Sequence, residues 1–190
     1  MNIILMGYRC TGKTSAGLGL AERMGLPFYD TDALVEHMTQ RTVAQIIAAQ
    51  GWQAFRDAES EVIRRLSGTD RSVIALGGGA VLDAGNVECL KRGGLFVWLF
   101  AAPETIAARM ERDAAGGAER PSLTGKGSVD ETEGLMAQRE PLYRRFADLA
   151  VDTTGIETHR VVETILSGLR ERLPEEERTV GVPQRNREAV

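Results

Sequence analysis

MGYRCTGKTS, Met6 to Ser15, decides the fold. A short apolar run, Ile3-Ile4-Leu5-Met6, leads into it, and a helix-like run from Lys13 to Met24 leads out. Gly7 to Thr14 fits G-x-x-x-x-G-K-[ST], a spacing that carries meaning when a strand precedes it and a helix follows. Backbone N–H groups in such a loop cradle phosphate, the helix N-terminus adds partial positive charge, and Lys13 reaches the terminal phosphates of a nucleotide. Gly7, Cys10, Thr11, Gly12, Lys13, Thr14 and Ser15 are therefore the candidate phosphate-binding residues, with Thr14 a ligand for Mg2+. The competing reading is a chance Gly/Lys-rich turn. Cys10 beside Lys13 at a helix N-terminus is either a thiol of lowered pKa, open to oxidation, or an inert small residue.

Outward from this loop, strands are predicted at 26–29, with Pro27 at the start, and at 72–76, 95–99 and 149–152. Helices are predicted over 13–24, with Leu18, Leu20, Ala21 and Met24 as apolar positions, and over 32–67 in pieces punctuated by Thr42 and Gly51. Others lie near 83–92, from Pro103 onward, over 130–147 with a break or kink at Pro141, and over 158–173. Continuously apolar strands alternating with helices predict an α/β fold, a parallel sheet covered on both faces with ligands at the strands' carboxyl ends. Residues 114–128 hold four glycines and few large apolar groups, which predicts a mobile loop. The tail from Pro174 lacks periodicity and is expected to be disordered.

At 190 residues the chain suits one domain, here 1–173, rather than two large ones. With 43% apolar and 26% charged residues it has a globular composition, and no run is long enough to span a bilayer. Two cysteines, Cys10 and Cys89, and two distant histidines, His37 and His159, make neither a disulfide framework nor a zinc site. A net charge of −4 excludes a broad nucleic-acid footprint but not a local anion pocket. A cytoplasmic monomer without nucleic-acid or membrane partners is expected.

The acids of the third strand's end are missing, replaced by Gly77-Gly78-Gly79, while Asp30-Thr31-Asp32 follows the second strand. Two carboxylates one residue apart can serve a magnesium ion and an incoming hydroxyl; they also read as an Asx-turn with a helix cap at Asp32. No Asn-Lys-x-Asp occurs, so guanine selectivity has no visible basis. Arg56 and Glu59 share a helix face, either as a surface pair or as an acid holding an arginine for an anionic acceptor. Arg139 is either solvated or turned into the cleft. Three glycines after a buried strand form a plain turn or let backbone N–H groups approach a ligand. Arg120-Pro121 is a solvated charge or a cation delivered on loop closure.

Together, Gly7 to Thr14, Asp30-Thr31-Asp32, Phe55-Arg56-x-x-Glu59, Gly77-Gly78-Gly79, Arg120-Pro121 and Arg139-x-x-x-Tyr143, in this order, resemble shikimate kinases over roughly residues 1–173. The resemblance implies a three-layer P-loop kinase fold with a five-stranded parallel sheet, helices on both faces and a mobile lid at about 114–128. It implies transfer of the γ-phosphoryl group of ATP to the 3-hydroxyl of shikimate. In that family pattern Lys13 contacts the β and γ phosphates, Thr14 and Asp30 (through water) serve Mg2+, and Asp32 orients or deprotonates the hydroxyl. Arg56 and Arg139 grip the shikimate carboxylate, Gly77, Gly78 and Gly79 lie beside its hydroxyls, and Arg120 stabilises the transferring phosphoryl group. Arg112 lies against adenine, with Arg109 its competitor, and Cys10 stands where glycine is implied. A gluconate-type or nucleoside-monophosphate kinase, and a binding-only domain, are the rival readings.

Overall fold

A computed structural model of the chain describes residues 1–115 and 129–172. The predicted lid beyond Ala115, Arg120 within it, and the predicted tail from Pro174 lie outside the described residues. Five strands, β1 (Asn2–Met6), β2 (Phe28–Asp30), β3 (Val73–Ala75), β4 (Gly94–Phe100) and β5 (Leu149–Asp152), form one parallel sheet in the order β2-β3-β1-β4-β5. The helices among the described residues are α1 (Lys13–Met24), α2 (Thr31–Thr39), α3 (Val43–Leu66), α4 (Ala84–Lys91), α5 (Pro103–Ala115), α6 (Val129–Phe146) and α7 (Thr158–Arg170).

Side chains of a strand alternate between faces, so β1, buried at every position, must be covered twice. Ile3 and Leu5 pack with Leu20 of α1 and Val162 and Ile165 of α7. Ile4 and Met6 pack on the other side with Ile63 of α3, Leu90 of α4 and Tyr143 of α6. Each such aliphatic side chain contributes roughly 1.5–3 kcal/mol by leaving water. The three layers expected from the sequence follow from this double burial.

Local chemistry sets the helix ends. Thr42 caps α3 through its hydroxyl, which accepts from Gln45 N at 3.2 Å, while Gln45 Oε1 accepts from Thr42 N at 2.9 Å. Gly51, at φ +83°, interrupts the helical conformation inside α3, as its punctuation predicted. Three expectations need correction. Leu18 is 54% exposed, because α1 turns Ala16, Gly17, Leu20 and Ala21 to the sheet. The second strand begins at Phe28, since Leu26 N closes the end of α1 on Ala21 O and Pro27 contributes only its carbonyl, which accepts from Val73 N at 2.9 Å. Pro141 does not break α6, which runs through it from Val129 to Phe146 with the proline on the exposed side.

Gly7 leaves β1 at φ +147°, and an added Cβ would lie 2.1 Å from the Leu99 carbonyl oxygen on β4. Backbone meets backbone there, so neither side yields. Gly7→Ala is expected to lower unfolding free energy by about 3 kcal/mol, read as a lower denaturant midpoint at constant slope. An unchanged midpoint would contradict this close approach.

Candidate active site

Parallel strands present their carboxyl ends on one side, and the order β2-β3-β1 sets three loops next to one another: Asp30 to Asp32, Gly77 to Gly79, and Gly7 to Thr14. Ala75 of β3 is in register with Asp30 on one side and with Leu5 on the other. The first two loops are also tied directly, Gly77 N donating to Thr31 Oγ1 at 2.8 Å.

The phosphate loop is held from within and from outside. Lys13 Nζ donates to the carbonyls of Gly7 and Tyr8 at 3.0 and 2.7 Å, and Thr11 Oγ1 donates to Tyr8 O at 2.8 Å. From α5, Arg109 donates to Cys10 O at 3.1 Å and to Thr153 O at 2.7 Å. Thr153, after β5, donates from its hydroxyl to Thr11 O at 3.2 Å. Cys10 sits at φ +58°, the left-handed region that favours glycine, and its thiol donates to Asp113 at 3.5 Å.

Asp30, not Asp32, caps α2. Its Oδ1 accepts from Asp32 N and Ala33 N at 3.0 and 3.4 Å, and its Oδ2 accepts from the Thr14 hydroxyl at 2.8 Å. One carboxylate thus joins the phosphate loop to α2 and leaves Asp32 in the first helical turn, lining the cleft. Thr14, Asp30 and Asp32 are hard oxygen donors of the kind Mg2+ takes, and among the described residues no group of three or more His, Cys, Asp or Glu forms a metal cage. That set suits Mg2+, which is usually held by one or two carboxylates and completed by phosphate oxygens and water.

Arg56 and Glu59, three apart on α3, form an ion pair in which Glu59 is completely buried. The guanidinium of Arg56 stands over the rings of Trp52 and Phe55, with centroids at 5.7 and 5.1 Å. It also lies against Gly79, where a Cβ would come within 2.1 Å of Nη2. Gly77 is equally constrained: its Cβ would lie 2.3 Å from Glu59 Oε1 and 2.6 Å from Asp32 Oδ1. Arg139, 7% exposed, donates to Gly78 O at 3.1 Å and covers the Tyr8 ring at 5.5 Å. Arg56, Glu59 and Arg139 all line the cleft rather than the outer surface.

These groups line a cleft of about 570 Å³. All the predicted site residues line it except Gly7, which supports the loop from behind, Arg112, and Arg120, which is outside the described residues. Arg112 is exposed and donates to its own helix at Ala108 O. It shares a neighbouring hollow with Arg109, and only Arg109 also lines the cleft. Sequence reasoning missed Arg9, Trp52 and Thr153 in the lining. Trp52 had a signal, lying one turn before Arg56 on the same helix face.

Burial pushes the Glu59 carboxyl up to about 6, with Arg56 and then Arg139 opposing the shift and Asp32 adding to it. The folded protein therefore holds this proton more tightly than the unfolded chain. Stability from Glu59 is full below about pH 4.5 and is lost as pH rises through about 6, by roughly 2 kcal/mol. The unfolding free energy of wild type minus that of Glu59→Gln should fall by that amount between about pH 4 and about pH 7.5. A difference independent of pH would contradict a proton held at this site.

A family model described as shikimate kinase matches residues 9–170. A shikimate kinase of Syntrophus aciditrophicus is 45% identical, with 87% of this chain and 89% of the relative covered. One from Symbiobacterium thermophilum is 44% identical over 90% of this chain and 98% of the relative. Among solved structures, the shikimate kinase of Acinetobacter baumannii in complex with shikimate superposes with a TM-score of 0.81 at 33% identity, covering 91% of this chain and 95% of that one. With the phosphate loop, the paired aspartates and the arginines around three glycines gathered in one cleft, this chain belongs to the shikimate kinase family.

Proposed function

We propose that this chain transfers the γ-phosphoryl group of ATP to the 3-hydroxyl of shikimate, giving shikimate 3-phosphate and ADP on the chorismate route to aromatic amino acids. The observation that carries this function is the meeting of Lys13 with two arginines, Arg56 and Arg139, around the bare backbone of Gly78 and Gly79 in one cleft. A small acid with several hydroxyls needs a planar cationic clamp for its carboxylate and polar backbone for its hydroxyls. Arg56 and Arg139 supply the first, and Gly77 to Gly79 the second.

Lys13 exchanges its carbonyl contacts for the β and γ phosphates, while backbone N–H groups from Cys10 to Ser15 hold the phosphate oxygens. Thr14, and Asp30 through water, would hold Mg2+. Bound there, the ion neutralises phosphate charge. Asp32 accepts a hydrogen bond from the 3-hydroxyl, orients it in line and takes its proton as the new O–P bond forms and the bond to the β-phosphate oxygen breaks. Arg120 is assigned to the charge on the transferring group. Arg109 and Arg112 are assigned to the nucleotide's base end, Arg109 from the cleft and Arg112 from the adjoining hollow. The working unit is a cytoplasmic monomer in this proposal.

The test is ADP release by purified protein with ATP and Mg2+, with and without shikimate. Release that depends on shikimate is expected; none, in protein shown to bind ATP, sinks the assignment and turns attention to other hydroxylated acceptors. Arg139→Ala should raise the shikimate KM at least about tenfold, as loss of a charged hydrogen-bonding partner does, and leave the ATP KM within about twofold. Unchanged acceptor kinetics would remove Arg139 from the clamp.

A further inference from the structure

Tyr143 is 2% exposed, and its hydroxyl donates to Gly78 O at 2.5 Å. Arg139 lies four residues earlier on the same face of α6 and donates to the same oxygen at 3.1 Å. A carbonyl oxygen has two lone pairs, so α6 occupies both. The Tyr143 ring is stacked on Trp98 of β4, with centroids 6.1 Å apart and planes 19° from parallel. Burial pushes its phenol up to about 12, which keeps it a donor at any physiological pH.

The oxygen held in this way belongs to the middle of three glycines. Consecutive glycines have little intrinsic preference, and rotation of a peptide plane between them costs little. In a planar trans peptide, the N–H of Gly79 points opposite to the Gly78 carbonyl. Holding the carbonyl toward α6 therefore directs the Gly79 N–H away from α6. Gly79 lines the cleft, with the Arg56 guanidinium against its Cα.

We infer that Tyr143 is a positioning residue for the acceptor: its hydroxyl, with Arg139, locks the Gly78–Gly79 peptide plane so that the Gly79 N–H is presented to a hydroxyl of the bound acid. This inference rests on the shikimate-binding function proposed above. It differs from a packing role for Tyr143, because the ring alone would satisfy packing. Arg139 is then both a clamp for the carboxylate and a second lock on the plane. Without the phenol, an arginine drawn toward the acceptor would leave the carbonyl unheld.

The test is Tyr143→Phe, which keeps the ring on Trp98 and removes only the donor. The shikimate KM is expected to rise about three- to tenfold, the range for one hydrogen bond, with the ATP KM and kcat within about twofold. Against a shikimate analogue lacking the 4-hydroxyl or one lacking the 5-hydroxyl, the penalty should vanish for whichever group meets Gly79. In the protein without substrates, the amide 15N order parameter of Gly79 should fall in the variant from the rigid range toward the flexible one. Equal effects on both KM values, an acceptor KM within twofold of wild type, or an unchanged Gly79 order parameter would each overturn the inference. If wild type fails to turn over shikimate, the proposed function falls, and the order parameter alone decides whether Tyr143 locks the plane.

Discussion

The site depends on three adjacent residues having no side chains. Asp32 and Glu59 crowd Gly77, the Arg56 guanidinium crowds Gly79, and Arg139 and Tyr143 converge on the carbonyl between them. A methyl group at either outer glycine would displace the very groups that give the cleft its charge. The sheet order makes the crowding possible, because β3 lies between β1 and β2 and delivers this bare turn between the phosphate loop and the aspartates.

Crowding of this kind has an electrostatic cost. Glu59 is buried next to Asp32, and burying an ionised carboxylate is unfavourable unless cations and hydrogen bonds offset it. Arg56 and Arg139 offset part of the cost, yet the balance still favours the proton. Glu59 Oε1, meanwhile, is buried without a hydrogen-bond partner among the described residues. The arrangement is intelligible as preparation for an anion. A guanidinium paired on one side with Glu59, and supported by Trp52 and Phe55, has its position set before the acceptor arrives, so less ordering remains to be done on binding.

Much of this was legible in the chain because it is local. The spacing from Gly7 to Thr14 located the loop and the start of α1 at Lys13, and Thr42 and Gly51 marked the divisions of the long helical stretch. Burial was less legible. Leu18 is apolar, but the face of α1 against the sheet is chosen by small residues: Gly17 approaches the Phe28 ring so closely that a Cβ would lie 2.4 Å from it. The roles of Arg109 and Arg112 were beyond the sequence for a related reason. They are three apart on one helix face, and it is contacts distant in sequence, the Cys10 carbonyl and Thr153, that draw Arg109 inward. Glu59 likewise read from sequence either as half of a surface pair or as an acid holding an arginine for an anionic acceptor, because nothing local shows that the fold sets Asp32 and Gly77 beside it.

Cys10 shows how such distant contacts relax a local rule. A left-handed residue with a side chain is strained by roughly 1–2 kcal/mol, which is why glycine is implied at this place in the loop. Here Arg109 holds the Cys10 carbonyl, Asp113 accepts from its thiol, and Thr153 holds the carbonyl of the next residue. Local strain persists where surrounding structure determines the conformation more strongly than the strain opposes it. Three contacts from α5 and the end of β5 do that, and they also make the loop's shape depend on the half of the chain that carries Arg109. The nucleotide loop and the proposed base-end arginine are therefore parts of one brace. A ligand that draws Arg109 toward itself acts on the phosphate loop through the same carbonyl that the arginine holds.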